Sequence, residues 1–165
     1  MTFTIQEVLE RVAGILEEEN GLRDSLEQIR GMYGMGSEQA WPAGVRILKA
    51  APEHVDKALG SRYPAVSLFC DRVRSRPTEK LRRFSGEVQL SVEVRVSQDR
   101  LEGITEKLHY YSDAVRDVLE RNRGCIGPGL YLSEETAVQI DPVKKGGSFY
   151  LQSSRVMCTV IVNRE

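Results

Sequence analysis

From Gly86 to Ser97 polar and apolar residues alternate without a fault. Val88, Leu90, Val92, Val94 and Val96 fall on one side, and Glu87, Gln89, Ser91, Glu93, Arg95 and Ser97 on the other. Side chains of a strand point to opposite faces in turn, so the pattern predicts a ribbon with one dry and one wet side. β-Branched valines suit such a surface. The period then changes. Leu101, Ile104, Leu108, Tyr111, Val115 and Leu119 recur at three and four residues, the stripe of an amphipathic helix over Asp99–Asn122. Asp99 with Glu102 has capping-box form, and Gly124 can end the helix in a left-handed conformation. Helix stripe and valine face each need a cover, and each can supply the other's.

The flanks are read in order. Thr4-Ile5-Gln6-Glu7 has capping-box form and opens a helix striped by Ile5, Val8, Val12, Ile15 and Leu16. Asn20-Gly21 breaks or kinks it, and Leu22, Leu26 and Ile29 continue at helical spacing. This segment must pack on its own domain or on a neighbouring copy. Gly31 to Gly44 is a glycine-spaced loop holding Met32, Met35 and the single tryptophan, Trp41, which is read as a cap on the core or as part of a binding loop. Val45–Ala51 fits a short strand or a helix start, and Pro52 opens a helix through Leu59. After Tyr63-Pro64, Val66, Leu68 and Cys70 share one face of a strand running to about Val73. Thr136–Asp141 predicts a third strand and Phe149–Val162 a fourth, with Gly124–Gly129 an irregular loop between helix and sheet. Phe149 and Leu151 have the opposite parity to Val156, Cys158, Val160 and Val162, so a bulge near Ser153-Ser154 is expected. The predicted class is α+β: a four-stranded, mostly antiparallel sheet with a long basic hairpin arm, one long helix on one face and a helical N-terminal third. The whole is read as a single domain, 1–165, with a helical segment over 1–60 and a sheet-plus-helix core over 61–165.

Composition changes this picture little. The chain has 165 residues, 41% hydrophobic and 28% charged, enough for one domain with a real core. With 23 basic and 24 acidic residues no global field draws it to nucleic acid or membrane. No apolar run approaches bilayer length, and Met1-Thr2-Phe3 leads into acidic helix without the pattern of a signal peptide. Cys70, Cys125 and Cys158 lie far apart, an odd count that favours reduced thiols; Cys70 and Cys158 read as small core residues.

Candidate chemistry is sparse. His54 has no histidine or cysteine nearby, and His109 sits inside the helix beside Tyr110-Tyr111. A catalytic base needs a partner within hydrogen-bond reach, and a metal needs converging ligands. Asp113 and Asp117 are one turn apart, but Arg116 and Arg121 can answer them as an ordinary charged helix surface. No nucleophile elbow, HExxH helix, phosphate loop or calcium loop occurs. The chain reads as a non-enzyme without cofactor, metal or membrane partner. The charged feature with specificity is the turn between the first two strands: Arg72, Arg74, Arg76, Lys80, Arg82 and Arg83 stand against Glu79 alone, with Phe84 following. Such charges can simply guard a strand edge from aggregation. They can also form an arm toward an acidic protein surface or a phosphate backbone, and the balanced charge of the rest favours protein. Base stacking is not indicated, with Phe84 the sole aromatic nearby.

Four pieces carry a resemblance: Tyr63-Pro64-Ala65-Val66; Arg82-Arg83-Phe84-Ser85-Gly86 entering the alternating strand; Ser97-Gln98-Asp99-Arg100-Leu101-Glu102-Gly103 with its helix; and Pro142-Val143-Lys144-Lys145-Gly146-Gly147-Ser148-Phe149. In this order the block Tyr63–Val162 resembles the tail terminator and tail-completion (head–tail joining) proteins of long-tailed bacteriophages and prophages. The motifs are architectural, with no catalytic residues to transfer, and residues 1–60 lie outside them. The resemblance implies a virion structural protein of the tail or neck, made in the host bacterial cytoplasm. It would form a ring of like copies, commonly hexameric, that stops the tail tube and meets a neck or connector protein, with passing contact to DNA in the lumen. Arg72, Arg74, Arg76, Lys80, Arg82, Arg83, Phe84 and Trp41 are the expected interface. A head–tail connector or tail-sheath adaptor of the same region, or a small α+β binding module, are the alternatives.

Overall fold

The computed structural model describes residues 4–33, 47–49, 63–76 and 84–164. Three helices, α1 (Ile5–Glu17), α2 (Leu22–Tyr33) and α3 (Ile104–Arg121), accompany seven strands among these residues. The strands are β1 (Ile47–Leu48), β2 (Ala65–Ser75), β3 (Phe84–Gln98), β4 (Gly124–Gly127), β5 (Leu130–Ile140), β6 (Lys144–Gly146) and β7 (Phe149–Arg164). They form one sheet in the order β1-β2-β3-β7-β5-β4, with β6 pairing the start of β7. β1 runs parallel to β2 and every other pairing is antiparallel.

The α+β expectation of a four-stranded sheet under one long helix is therefore corrected. The described residues are mostly β, 48% of them in strands, with three short helices against a curled, mixed sheet of six to seven strands. Of the two readings of Val45–Ala51, the short strand is the one found, as β1. β4 escaped the pattern: it is too short to show a period, and the Gly124–Gly127 segment read as irregular loop pairs with β5. β5 begins at Leu130, where Leu130 and Leu132 alternate toward the core before a step in register.

The valine face is dry as its spacing requires: Val88, Leu90, Val92, Val94 and Val96 are all buried. α3 packs on β3, β7 and β5, α1 on β1 and β2, and α2 on α3, so the helices share one core with the sheet. The N-terminal helices thus pack on their own chain. Gly21 makes the α1–α2 corner possible, since a Cβ there would lie 2.3 Å from the Leu16 carbonyl oxygen. Thr4 caps α1 by accepting the Glu7 N–H at 3.1 Å. The Glu7 carboxylate does not complete the box; it pairs with Arg164 at the end of β7.

Polar locks fix the helices. Ser25 Oγ donates to Asp117 Oδ2 at 2.6 Å, and Arg121 bridges Asp117 at 3.1 Å to the Asn20 carbonyl at 3.0 Å, tying α2 to α3. Ser112 Oγ of α3 lies 2.6 Å from Ser154 Oγ of β7, and Thr105 Oγ1 donates to Gln152 Oε1 at 2.9 Å. Asp113 and Asp117 are answered by Arg116 and Arg121, as helical spacing predicts.

Two local expectations fail for identifiable reasons. α3 starts at Ile104 rather than Asp99, because Gln98 Nε2 donates to the carbonyls of Arg100 and Glu102 and holds that stretch as a loop. Gly103, at φ +79°, then turns into the helix in a conformation only glycine adopts cheaply, and Leu101 is left exposed. The bulge expected near Ser153-Ser154 does not exist. β3 and β7 pair in continuous register from Phe84↔Arg164 to Gln98↔Tyr150. Phe149 and Leu151 simply belong to the opposite face, where β6 pairs alongside them. The register steps sit instead in β2 between Cys70 and Arg72 and in β5 between Leu132 and Thr136.

Candidate functional site

The three described helices share one core with one face of the sheet, and among the described residues none packs on the other face. Direct cross-strand partners share a face. The register therefore gathers Arg72 and Arg74 of β2 with Gln89 and Glu87 of β3, and Thr159 and Ile161 of β7 with Tyr131 of β5, on the face away from the helices. Of the expected interface residues, Arg72 and Arg76 are exposed and Arg74 is half-buried. Arg76 closes the hairpin stem: its N–H donates to the Ser85 carbonyl at 2.7 Å and its guanidinium lies 3.5 Å from Glu87. Phe84 does not project; it packs against the core. Lys80, Arg82, Arg83, Trp41 and His54, with the Pro52–Leu59 helix, lie outside the described residues.

Gly86 permits the close hairpin. A Cβ there would sit 2.1 Å from the Arg74 carbonyl oxygen of β2, so only a residue without a side chain lets the strands approach.

The face expected to be wet is not uniformly so. Glu93 is only 5% exposed. Its carboxylate accepts from Arg95 Nε at 2.6 Å and faces Arg155 Nη2 at 3.8 Å, and the Arg155 guanidinium lies 5.4 Å from the centre of the Phe69 ring. Ser67 and Ser91 beside it are buried too, Ser91 donating to the Asp71 carboxylate. Small serines leave room for the longer side chains to lie down over Glu93 and exclude water. Strand parity puts Glu93 and Arg95 side by side, but Arg155 reaches them through the β3–β7 register, which no local signal carries. A carboxylate held between guanidiniums is neutralised and hydrogen-bonded, which suits a rigid polar surface rather than proton transfer.

Among the described residues no group of three or more histidine, cysteine or acidic side chains is placed to hold a metal. Burial pushes the Cys158 thiol up to about 12, so no thiolate forms there near neutrality. Burial likewise raises the half-buried Cys70 thiol. His109 is exposed on α3. A depression of about 550 Å³ lies beside the step in β5, and its walls include Asp71, Gln89, Glu120, Glu134 and Glu135. Leu90, Ala137, Met157 and Cys158 share this open lining with the charged groups.

The outer strands are the remaining feature. β1 covers only Val66 and Ser67 of β2, and β4 covers only the Leu130–Leu132 end of β5. Beyond these, Phe69–Ser75 and Glu134–Ile140 have no second strand partner among the described residues. Val138 and Ile140 are exposed at 38% and 42%. Among the described residues no helix is long and apolar enough to cross a membrane. Compared with protein-family models and with curated proteins, the chain matches none.

Proposed function

We propose that the protein is a non-enzymatic structural subunit of a phage or prophage virion, a tail terminator or tail-completion protein whose copies close into a ring between tail tube and neck. The observation that supports this best is the one-sidedness of the sheet. Helices pack on one face, while among the described residues Phe69–Ser75 of β2 and Glu134–Ile140 of β5 have no second strand partner. Unsatisfied strand edges invite pairing with another chain, and a rotation that closes turns that liability into a finite ring. The basic hairpin, with Arg74 and Arg76 at its stem, supplies a charged contact for the tube or the lumen side. The sequence resemblance supplies the place in the virion, the commonly hexameric count, and assembly after synthesis in the host cytoplasm.

Light scattering with negative-stain imaging tests the reading, alone and with isolated tail tubes. Rings, free or seated on tube ends, are expected. A species that stays monomeric at high concentration and ignores tubes would overturn it. Replacing Arg74, Arg76, Arg82 and Arg83 by Ser is expected to leave a folded protein that no longer joins tubes; normal joining would remove the hairpin as the contact.

A further inference from the structure

We infer that β2 of one copy docks beside β5 of the next, with Arg72 meeting Glu134 and Glu135; this rests on the ring reading above and adds the surfaces that close it. The register places these charges. Arg72 is opposite Gln89, and Gln89 is opposite Thr159. Thr159 lies between Cys158, opposite Thr136, and Val160, opposite Leu132, so it stands level with the outward step at Ser133–Glu135. β2 and β5 therefore carry opposite charges at the same height along the sheet, where neither β1 nor β4 pairs with them. Arg72, Glu134 and Glu135 are exposed and form no ion pair among the described residues. Asp71, which could cancel Arg72, accepts from Ser91 and is held over β3 instead.

Strand sense agrees. β2, β3, β7 and β5 alternate in direction, so β2 and β5 run oppositely. A rotation about an axis along the strands preserves every direction and every height. It brings β2 of a second copy antiparallel to β5, with the guanidinium of Arg72 arriving level with the two carboxylates. A two-fold axis perpendicular to the strands does the reverse, setting β2 on β2 or β5 on β5 with like charges opposed. Complementary charge thus selects the head-to-tail contact over the symmetric one. Val138 and Ile140, exposed on the same edge of β5, add apolar area that such a neighbour covers. Edge charges that merely guard a monomer do so by repelling a like edge. Here the opposite edge at the same level attracts.

A charge swap tests the contact. Arg72→Glu makes both edges acidic at this level, and Glu134→Arg with Glu135→Arg makes both basic. Each variant is expected to keep the wild-type circular dichroism spectrum but to lose self-association by roughly tenfold or more, running at the 18.6 kDa monomer mass. An equimolar mixture, and a single chain carrying all three changes, should regain the wild-type assembly. If the wild type forms rings and each single-edge variant does too, this contact is overturned while the ring reading stands. Failure of both the mixture and the triple variant to recover overturns it as well. A wild type that forms no ring, alone or on tubes, removes both.

Discussion

The Ser112–Ser154 contact is the sharpest check on how the organising helix sits on its sheet. Both hydroxyls are buried, 2.6 Å apart, and Ser112 Oγ also lies 2.7 Å from the Leu108 carbonyl. A hydroxyl has one proton. Ser112 gives its proton to Leu108, so Ser154 is the donor to Ser112. Truncating the two partners then has unequal consequences. Ser154→Ala removes a donor and leaves Ser112 with its Leu108 acceptor, at a cost of about 0.5–1.5 kcal/mol. Ser112→Ala strands the Ser154 proton in a dry site, which costs about 1–3 kcal/mol, less about 0.5 kcal/mol for the better helix propensity of alanine. Removing both hydroxyls leaves nothing orphaned. The double variant is therefore expected to cost no more than Ser112→Ala alone, a coupling of about 1 kcal/mol set against the 0.3–0.5 kcal/mol (roughly) within which independent sites add. Urea unfolding of the four proteins, followed by circular dichroism, gives the cycle. Additive costs would refute the donor assignment and with it the seating of α3 over β7.

Three further outcomes follow from the same structure. Gly86→Ala should force the β2–β3 hairpin apart, since its Cβ would meet the Arg74 carbonyl; a loss of about 1–3 kcal/mol with faster hydrogen exchange in Arg72–Ser75 checks it. Glu93→Gln removes the carboxylate between Arg95 and Arg155 and should lower the unfolding free energy by about 1–3 kcal/mol, and adding Arg95→Met should recover part of the loss. Tyr111 and Cys158 are both pushed up to about 12 by burial, from ordinary values of 10.0 and 9.0. Their raised folded values mean the unfolded chain releases these protons first, so stability is fully present below pH 9 and falls as pH climbs toward 12. Tyr111→Phe should make that alkaline decline shallower above pH 10, measured by denaturant midpoints across pH.

Local pattern was decisive wherever one face of an element is buried and the other is not. The valine alternation of β3, the α3 stripe from Ile104 onward, the Thr4 cap and the Asn20-Gly21 break stand where period and capping chemistry placed them, while the Asp99 capping box does not form. It failed where the signal is non-local. Two-residue β1 and four-residue β4 have no period to read, so the size of the sheet, its mixed pairing and its mostly-β character emerged only from the folded chain. Phe149 and Leu151 lie on the outward face of a β7 that keeps continuous register with β3, so no bulge is needed.

The sequence by itself determined the dry ribbon and its helical roof, because each follows from side-chain spacing within some fifteen to twenty neighbouring residues. Only the tertiary structure decided that Glu93 is enclosed by Arg95 and Arg155, and that Arg72 stands level with Glu134 and Glu135 across the sheet. Those placements depend on the register of β2, β3, β7 and β5. Register is fixed by packing the whole apolar face at once, and a shift of one residue would scatter every one of them.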